Sequence, residues 1–192
     1  MTVADPNRVI FTGENHFIRL STVDTDDYAS VASFWRITLC AAGPGHALFV
    51  KSELTGGKWR IYSDNVATAR WLQSTVQGML VSDLRDSSIP VTDAGFAKSG
   101  DPRSLYSERV STVNGEILLT WNDFGEALLL HTTPNSQPGR PYGMCSLFVP
   151  ALGARLSLDG YDAAGRPWAR QREGRPFSTC ALAFSESWTE AR

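Results

Sequence analysis

Residues 32–63 read ASFWRITLCAAGPGHALFVKSELTGGKWRIYS, three apolar-rich runs separated by two glycine-bearing breaks, Ala42-Gly43-Pro44-Gly45 and Gly56-Gly57. Gly and Pro supply the backbone angles of tight reversals, so this stretch predicts a meander of strands at 32–41, 46–54 and 58–63. Pairing Ala41 with His46 sets Leu39 opposite Leu48, Ile37 opposite Val50 and Trp35 opposite Ser52. The second turn sets Leu54 opposite Trp59 and Ser52 opposite Ile61. One apolar face results, and Arg36, Thr38, Lys51, Glu53, Arg60 and Tyr62 fall on a solvated face. A slip of one residue exchanges the two faces.

Outward from the meander, Ser63 or Asp64 caps a helix running to about Gly78, with Val66, Ala69, Leu72 and Val76 at helical spacing and Trp71 beside them. The stretch 82–102 mixes Asp, Ser, Gly and Pro and reads as a long surface loop around a short extended piece at 89–91. Asn114-Gly115 marks a second hairpin, of type I′ by its composition. Pairing 113 with 116 places Glu108, Val110, Leu119 and Trp121 on one face, together with Tyr106 and Asp123. Further strands are expected at 127–132, 142–149, 154–158 and 178–185. The intervening segment 159–176, with Arg166, Arg170, Arg172 and Arg175, reads as an extended loop.

Short consecutive strands with a single helix predict an all-β fold, an antiparallel barrel lipocalin-like in general architecture but sharing no motif, with a two-sheet β-sandwich as the alternative. The 192 residues suffice for one core and show no linker, so a single domain over 1–192 is expected. A net charge of −2 and a pI near 5.9 give no general attraction to phosphate backbones or anionic lipid, which argues against nucleic-acid and membrane partners. Residues 1–20 carry scattered charges instead of an apolar run, and the cytoplasm is the expected location. Three widely spaced cysteines fit reduced thiols better than a disulfide framework.

No phosphate loop, dinucleotide fingerprint, HExxH or nucleophile elbow occurs, and no cofactor is expected. The three histidines, His16, His46 and His131, have no metal-ligand spacing, and no metal is expected. The sharper candidate is Glu108. A carboxyl group on an apolar face beside Trp121 is desolvated, which raises its pKa and suits it to proton transfer. Asp123 and His46, the latter at a barrel mouth, are its candidate catalytic partners, and Tyr106, Trp121, Trp35 and Trp59 its candidate substrate-binding groups. The rivals are a barrel-end Glu that reaches water, a buried ion pair with an arginine the local sequence does not show, and a reversed face that turns Ser107, Arg109 and Ser111 inward. The arginine group at 166–175 reads first as a solvated loop; as the alternative its guanidinium forks hold a carboxylate or phosphate, and Pro167-Trp168 and Pro176-Phe177 give the loop aromatic points that close over a pocket or dock a second subunit of a homodimer.

These readings converge on an enzyme of lyase or isomerase type. It would bind an apolar or aromatic small molecule in a barrel cavity and perform cofactor-independent acid/base chemistry such as hydration, elimination, isomerisation or cyclisation. A non-catalytic carrier is the first alternative, and a structural or interaction module the second.

Overall fold

The computed structural model describes residues 4–136 and 140–191. Four strands come first: β1 (Ala4–Leu20), β2 (Ser30–Cys40), β3 (Gly45–Lys51) and β4 (Arg60–Ser63). A helix follows, α1 (Val66–Leu72), continued by a π-helical turn Gln73–Gln77 and by Gly78–Leu80. Next come β5 (Val91–Asp93), β6 (Gly95–Asp101), β7 (Leu105–Thr112), β8 (Gly115–Phe124), β9 (Leu128–Thr132) and β10 (Gly143–Leu158). The last strands are β11 (Tyr161–Asp162), β12 (Ala169–Arg172), β13 (Arg175–Ser178) and β14 (Cys180–Ala191).

The main sheet runs in the order β5-β4-β3-β2-β1-β14-β10-β8-β7-β6, with β9 and β11 also on β10 and β12-β13 forming a separate hairpin. Its two ends, β5 and β6, are separated in the chain by Ala94 alone. The Ala94 N–H donates to the Ser63 carbonyl at 3.1 Å. One segment thus borders both edges of the sheet, and the architecture is a nearly closed barrel.

The barrel is mixed, not wholly antiparallel as expected, because β5 runs parallel to β4. A parallel neighbour needs a crossover connection, and the helix from Val66 supplies it. Asn65, not Ser63 or Asp64, caps that helix, its side-chain oxygen accepting from the N–H groups of Ala67 and Thr68. Ala69, Leu72 and Val76 are buried against the sheet as their spacing requires, whereas Val66 is exposed. The stretch 82–102, expected as a surface loop, holds the closing strands. Its alternation is faint because Ala94 and Phe96 supply its apolar side chains to the interior cluster while Lys98, Ser99 and Gly100 are exposed.

The register of the first meander differs from the expected one. Ile37 pairs with Gly45, Trp35 with Ala47 and Phe34 with Leu48, because residues 38–40 stay alongside β1 and leave a longer reversal. The offset is odd, so the faces separate: Phe34, Leu48 and Val50 fill the barrel, while Trp35, Ile37 and Phe49 lie outside under the helix. Arg36, assigned to water, therefore points inward. The second turn also differs, since Ser52 caps a 3-10 turn at Glu53–Thr55 and Val50 pairs with Arg60. In the third hairpin Thr112 pairs with Gly115, an even offset from the expected register, so Glu108 keeps its inward face opposite Leu119. Neither Val113 nor Asn114 has positive φ, so that turn is not type I′. The type I′ pattern occurs at Glu173-Gly174 (φ 52° and 73°), which turns β12 into β13 where an extended loop was expected.

Candidate functional site

Inside the barrel, β1, β2, β3 and β7 bring charged side chains together. Arg36 Nη2 donates to Glu108 Oε1 at 2.7 Å, Arg36 also binds Glu14, and Tyr106 Oη donates to Glu108 Oε1 at 2.8 Å. Arg36 Nε donates to His46 Nε2 at 3.2 Å, which leaves His46 Nδ1 to donate to Asp64 at 2.6 Å. Burial raises the Glu108 pKa, opposed by the charge of Arg36 and the hydrogen bonds from Tyr106 and Arg36. Glu108 Oε2 has no partner among the described residues.

His16 occupies the middle of this cluster, fully buried. Its ring lies 5.3 Å from Tyr106, 5.8 Å from Trp121 and 4.9 Å from Phe184, so aromatic side chains fill the interior here. Glu14, His16 and Glu108 present potential ligand atoms within 4.8 Å of one another. They do not fit a divalent cation. His16 Nδ1 accepts the Ala183 N–H at 3.1 Å, so the neutral ring carries its proton on Nε2, the nitrogen that faces the carboxylates. Burial and the charge of Arg36 keep that ring neutral, and the Arg36 guanidinium already occupies an oxygen of each acid.

Of the residues singled out in the sequence, Glu108, Tyr106, His46 and Trp121 share this cluster or its wall. Three others do not. Asp123 is exposed at a left-handed position (φ 52°) that takes it off the interior face. Trp35 lies on the outer face beneath the helix, for the register reason given above. Trp59 lies outside the barrel, its indole N–H donating to Asp83 at 3.4 Å. His131 is exposed. Cys40, Cys145 and Cys180 are free, and burial pushes the Cys180 thiol up to about 12, which leaves it inert.

A pocket of about 690 Å³ lies outside the barrel wall, between β1–β2, the end of the helix, β10, β14 and the β12-β13 hairpin. Its buried acidic group is Glu186, placed by a bulge. Ser185 is left-handed (φ 51°), and across from it the β10 register shifts between Cys145–Ser187 and Leu147–Phe184. The extra residue returns Glu186 and Trp188 to the face of Ala181 and Ala183, toward the pocket. Glu186 Oε1 accepts from Trp188 Nε1 at 2.8 Å and Oε2 from Ser146 at 3.3 Å. Burial pushes this carboxyl up to about 7 against those hydrogen bonds, one from Asn15 and the charge of Arg172.

Compared with protein families, curated proteins and solved structures, the chain matches none.

A polar chain leads from the pocket wall into the helix. Gln77 Nε2 donates to Ser33 Oγ at 2.9 Å, and Ser33 donates to Asn15 Oδ1 at 3.3 Å. Gln77 sits in the π-helical turn, a distortion often found at functional sites. The apolar lining comes from Phe17, Tyr28, Trp59, Phe148, Phe177 and Trp188. Arg170 and Arg172, noted in the sequence, line the pocket as well, whereas Arg166 stacks on Trp168 at 3.8 Å and Arg175 pairs with Glu126. Sequence reasoning missed Glu186, because the strand was expected to stop at 185 and nothing local announces a bulge.

Proposed function

We propose that the chain is an enzyme that binds an aromatic small molecule in the pocket outside the barrel and uses Glu186 for proton transfer, in a lyase or isomerase type of reaction. The observation that carries this reading is the convergence of a buried carboxyl, a polar relay through Asn15, Ser33 and Gln77, and aromatic walls on one cavity large enough for a metabolite. A carboxyl group whose pKa lies near the working pH can both take and return a proton, which is what acid/base chemistry asks of a single residue. Glu108 is less suited to that role, since Arg36 and Tyr106 both hold its Oε1 and the space beside it is filled by rings.

The test follows carbon-bound hydrogen exchange in D2O over a panel of aromatic ketones and hydroxy compounds, by proton NMR. Glu186→Gln is expected to abolish exchange while leaving binding within about threefold. A carrier without turnover is the second reading, favoured by the hydrogen bonds that engage both oxygens of the Glu186 carboxyl, from Trp188 and Ser146. Binding without exchange across the panel would establish it.

A further inference from the structure

The pocket carries more positive charge than its own acids balance. Four arginines line it, Arg19, Arg140, Arg170 and Arg172, against two carboxylates, Asp26 and Glu186. This happens on a chain whose formal net charge is −2, so the excess is local. Arg170 is bound to Asp24 and lies 3.6 Å from Asp26. Among the described residues, Arg19, Arg140 and Arg172 have no carboxylate at ion-pair distance.

Two of these three are held by aromatic rings. The Arg172 guanidinium lies over Phe148 at 5.1 Å and over Phe177 at 5.5 Å, and that of Arg19 over Phe17 at 5.3 Å and Tyr28 at 5.8 Å. Stacking on a ring face fixes the plane of a guanidinium and leaves its N–H edge free, which is the arrangement that receives a carboxylate or phosphate fork. We propose that the pocket takes an organic anion, a carboxylate or phosphate on an aromatic body, with the anionic group between Arg19, Arg140 and Arg172 and the body along the Phe148–Phe177 wall toward Glu186. Burial and the like charge of Arg140 hold the Arg172 pKa below the ordinary arginine range, so an arriving anion relieves an existing penalty. A basic side chain on the ligand would meet like charges instead.

This inference rests on the pocket being the ligand site, and the experiment separates the two claims. The probes are phenylacetate, phenyl phosphate and 2-phenylethanol, titrated calorimetrically and by the Trp188 indole resonance assigned with Trp188→Phe. Phenylacetate or phenyl phosphate is expected to bind at least tenfold more tightly than 2-phenylethanol. Arg172→Met keeps an unbranched apolar side chain at that position without the charge; it and Arg140→Ala are each expected to weaken the anions about tenfold and leave 2-phenylethanol unchanged. The better of the two anions tells a carboxylate site from a phosphate site. Equal binding of the alcohol, with both variants affecting all probes alike, overturns the anion class and leaves the pocket standing. No shift of the Trp188 resonance with any probe to millimolar concentration overturns both.

Discussion

Arg36 Nη2 and Glu108 Oε1 meet at 2.7 Å across the barrel interior, linking β2 to β7, strands that are not neighbours in the sheet. The guanidinium also holds Glu14, so a single cation is shared by two carboxylates in a space lined by rings. Removing one partner of such a group leaves an uncompensated buried charge, whereas removing both can be nearly neutral. Arg36→Met is expected to destabilise the fold by about 3–5 kcal/mol, and Arg36→Met with Glu108→Gln by clearly less. Urea unfolding of Arg36→Met, Glu108→Gln and the double variant checks this, and a double-variant loss equal to the sum of the two single losses would mean that the two residues do not interact.

Glu186 makes stability depend on pH. Its folded pKa is raised from 4.5 to about 7, so below about pH 4.5 both folded and unfolded chains hold the proton and no penalty exists. As pH rises from there to about 7 the unfolded chain releases its proton first, and folding loses up to about 3 kcal/mol. Glu186→Gln should remove that fall. Unfolding midpoints at pH 5 and pH 8 are expected to converge in the variant, which should be the more stable protein at pH 8. An unchanged pH slope would place the carboxyl in water.

The bulge that aims Glu186 depends on Ser185 at φ 51°. A left-handed conformation is easy for glycine and strained for a β-branched residue. Ser185→Gly is expected to be neutral or stabilising by up to about 1 kcal/mol, and Ser185→Val destabilising by about 1–2 kcal/mol. The valine variant should also move the Trp188 indole resonance, because the residues after the bulge lose their seating. A valine variant with unchanged melting and an unchanged indole signal would show that the bulge is not strained.

Gly13 offers a test of the β1–β2 contact. A Cβ built there falls 2.2 Å from the carbonyl oxygen of Arg36, a backbone atom that cannot step aside. Gly13→Ala is expected to lower stability by about 1–3 kcal/mol, a fall of several degrees in thermal unfolding for a chain of this length. Melting at the wild-type temperature would mean that the two strands separate more readily than their pairing implies.

The fold class could be read from turn residues and alternation, and so could the helix, because Ala69, Leu72 and Val76 repeat at its period. What failed was register. Three hairpins were placed from their glycines, and in two of them the true ladder begins an odd number of residues away, so Arg36 and Trp35 changed sides. Glu108 kept its face only because its hairpin moved by two. Local residues specify that the chain turns; long-range pairing with β1 and the capped turn at Ser52 decide where the ladder starts. The site was less legible still. Its acid follows a bulge, its relay joins Asn15, Ser33 and Gln77 from distant segments, and only the arginine-rich hairpin carried a compositional mark.

The single-residue link at Ala94 gives the barrel an unusual way to breathe. The shortest ladder along its closing path of strands is the three-residue pairing of β4 with β5, and losing it would open the wall. The freed strand would still be fastened, on one side through Ala94 to β6 and on the other through the crossover to β4 itself. Re-closing is then a short intramolecular search with little chain entropy to lose. Such a wall is a latch on a short tether: once opened, it is held beside its partner strand and guided back to the same register.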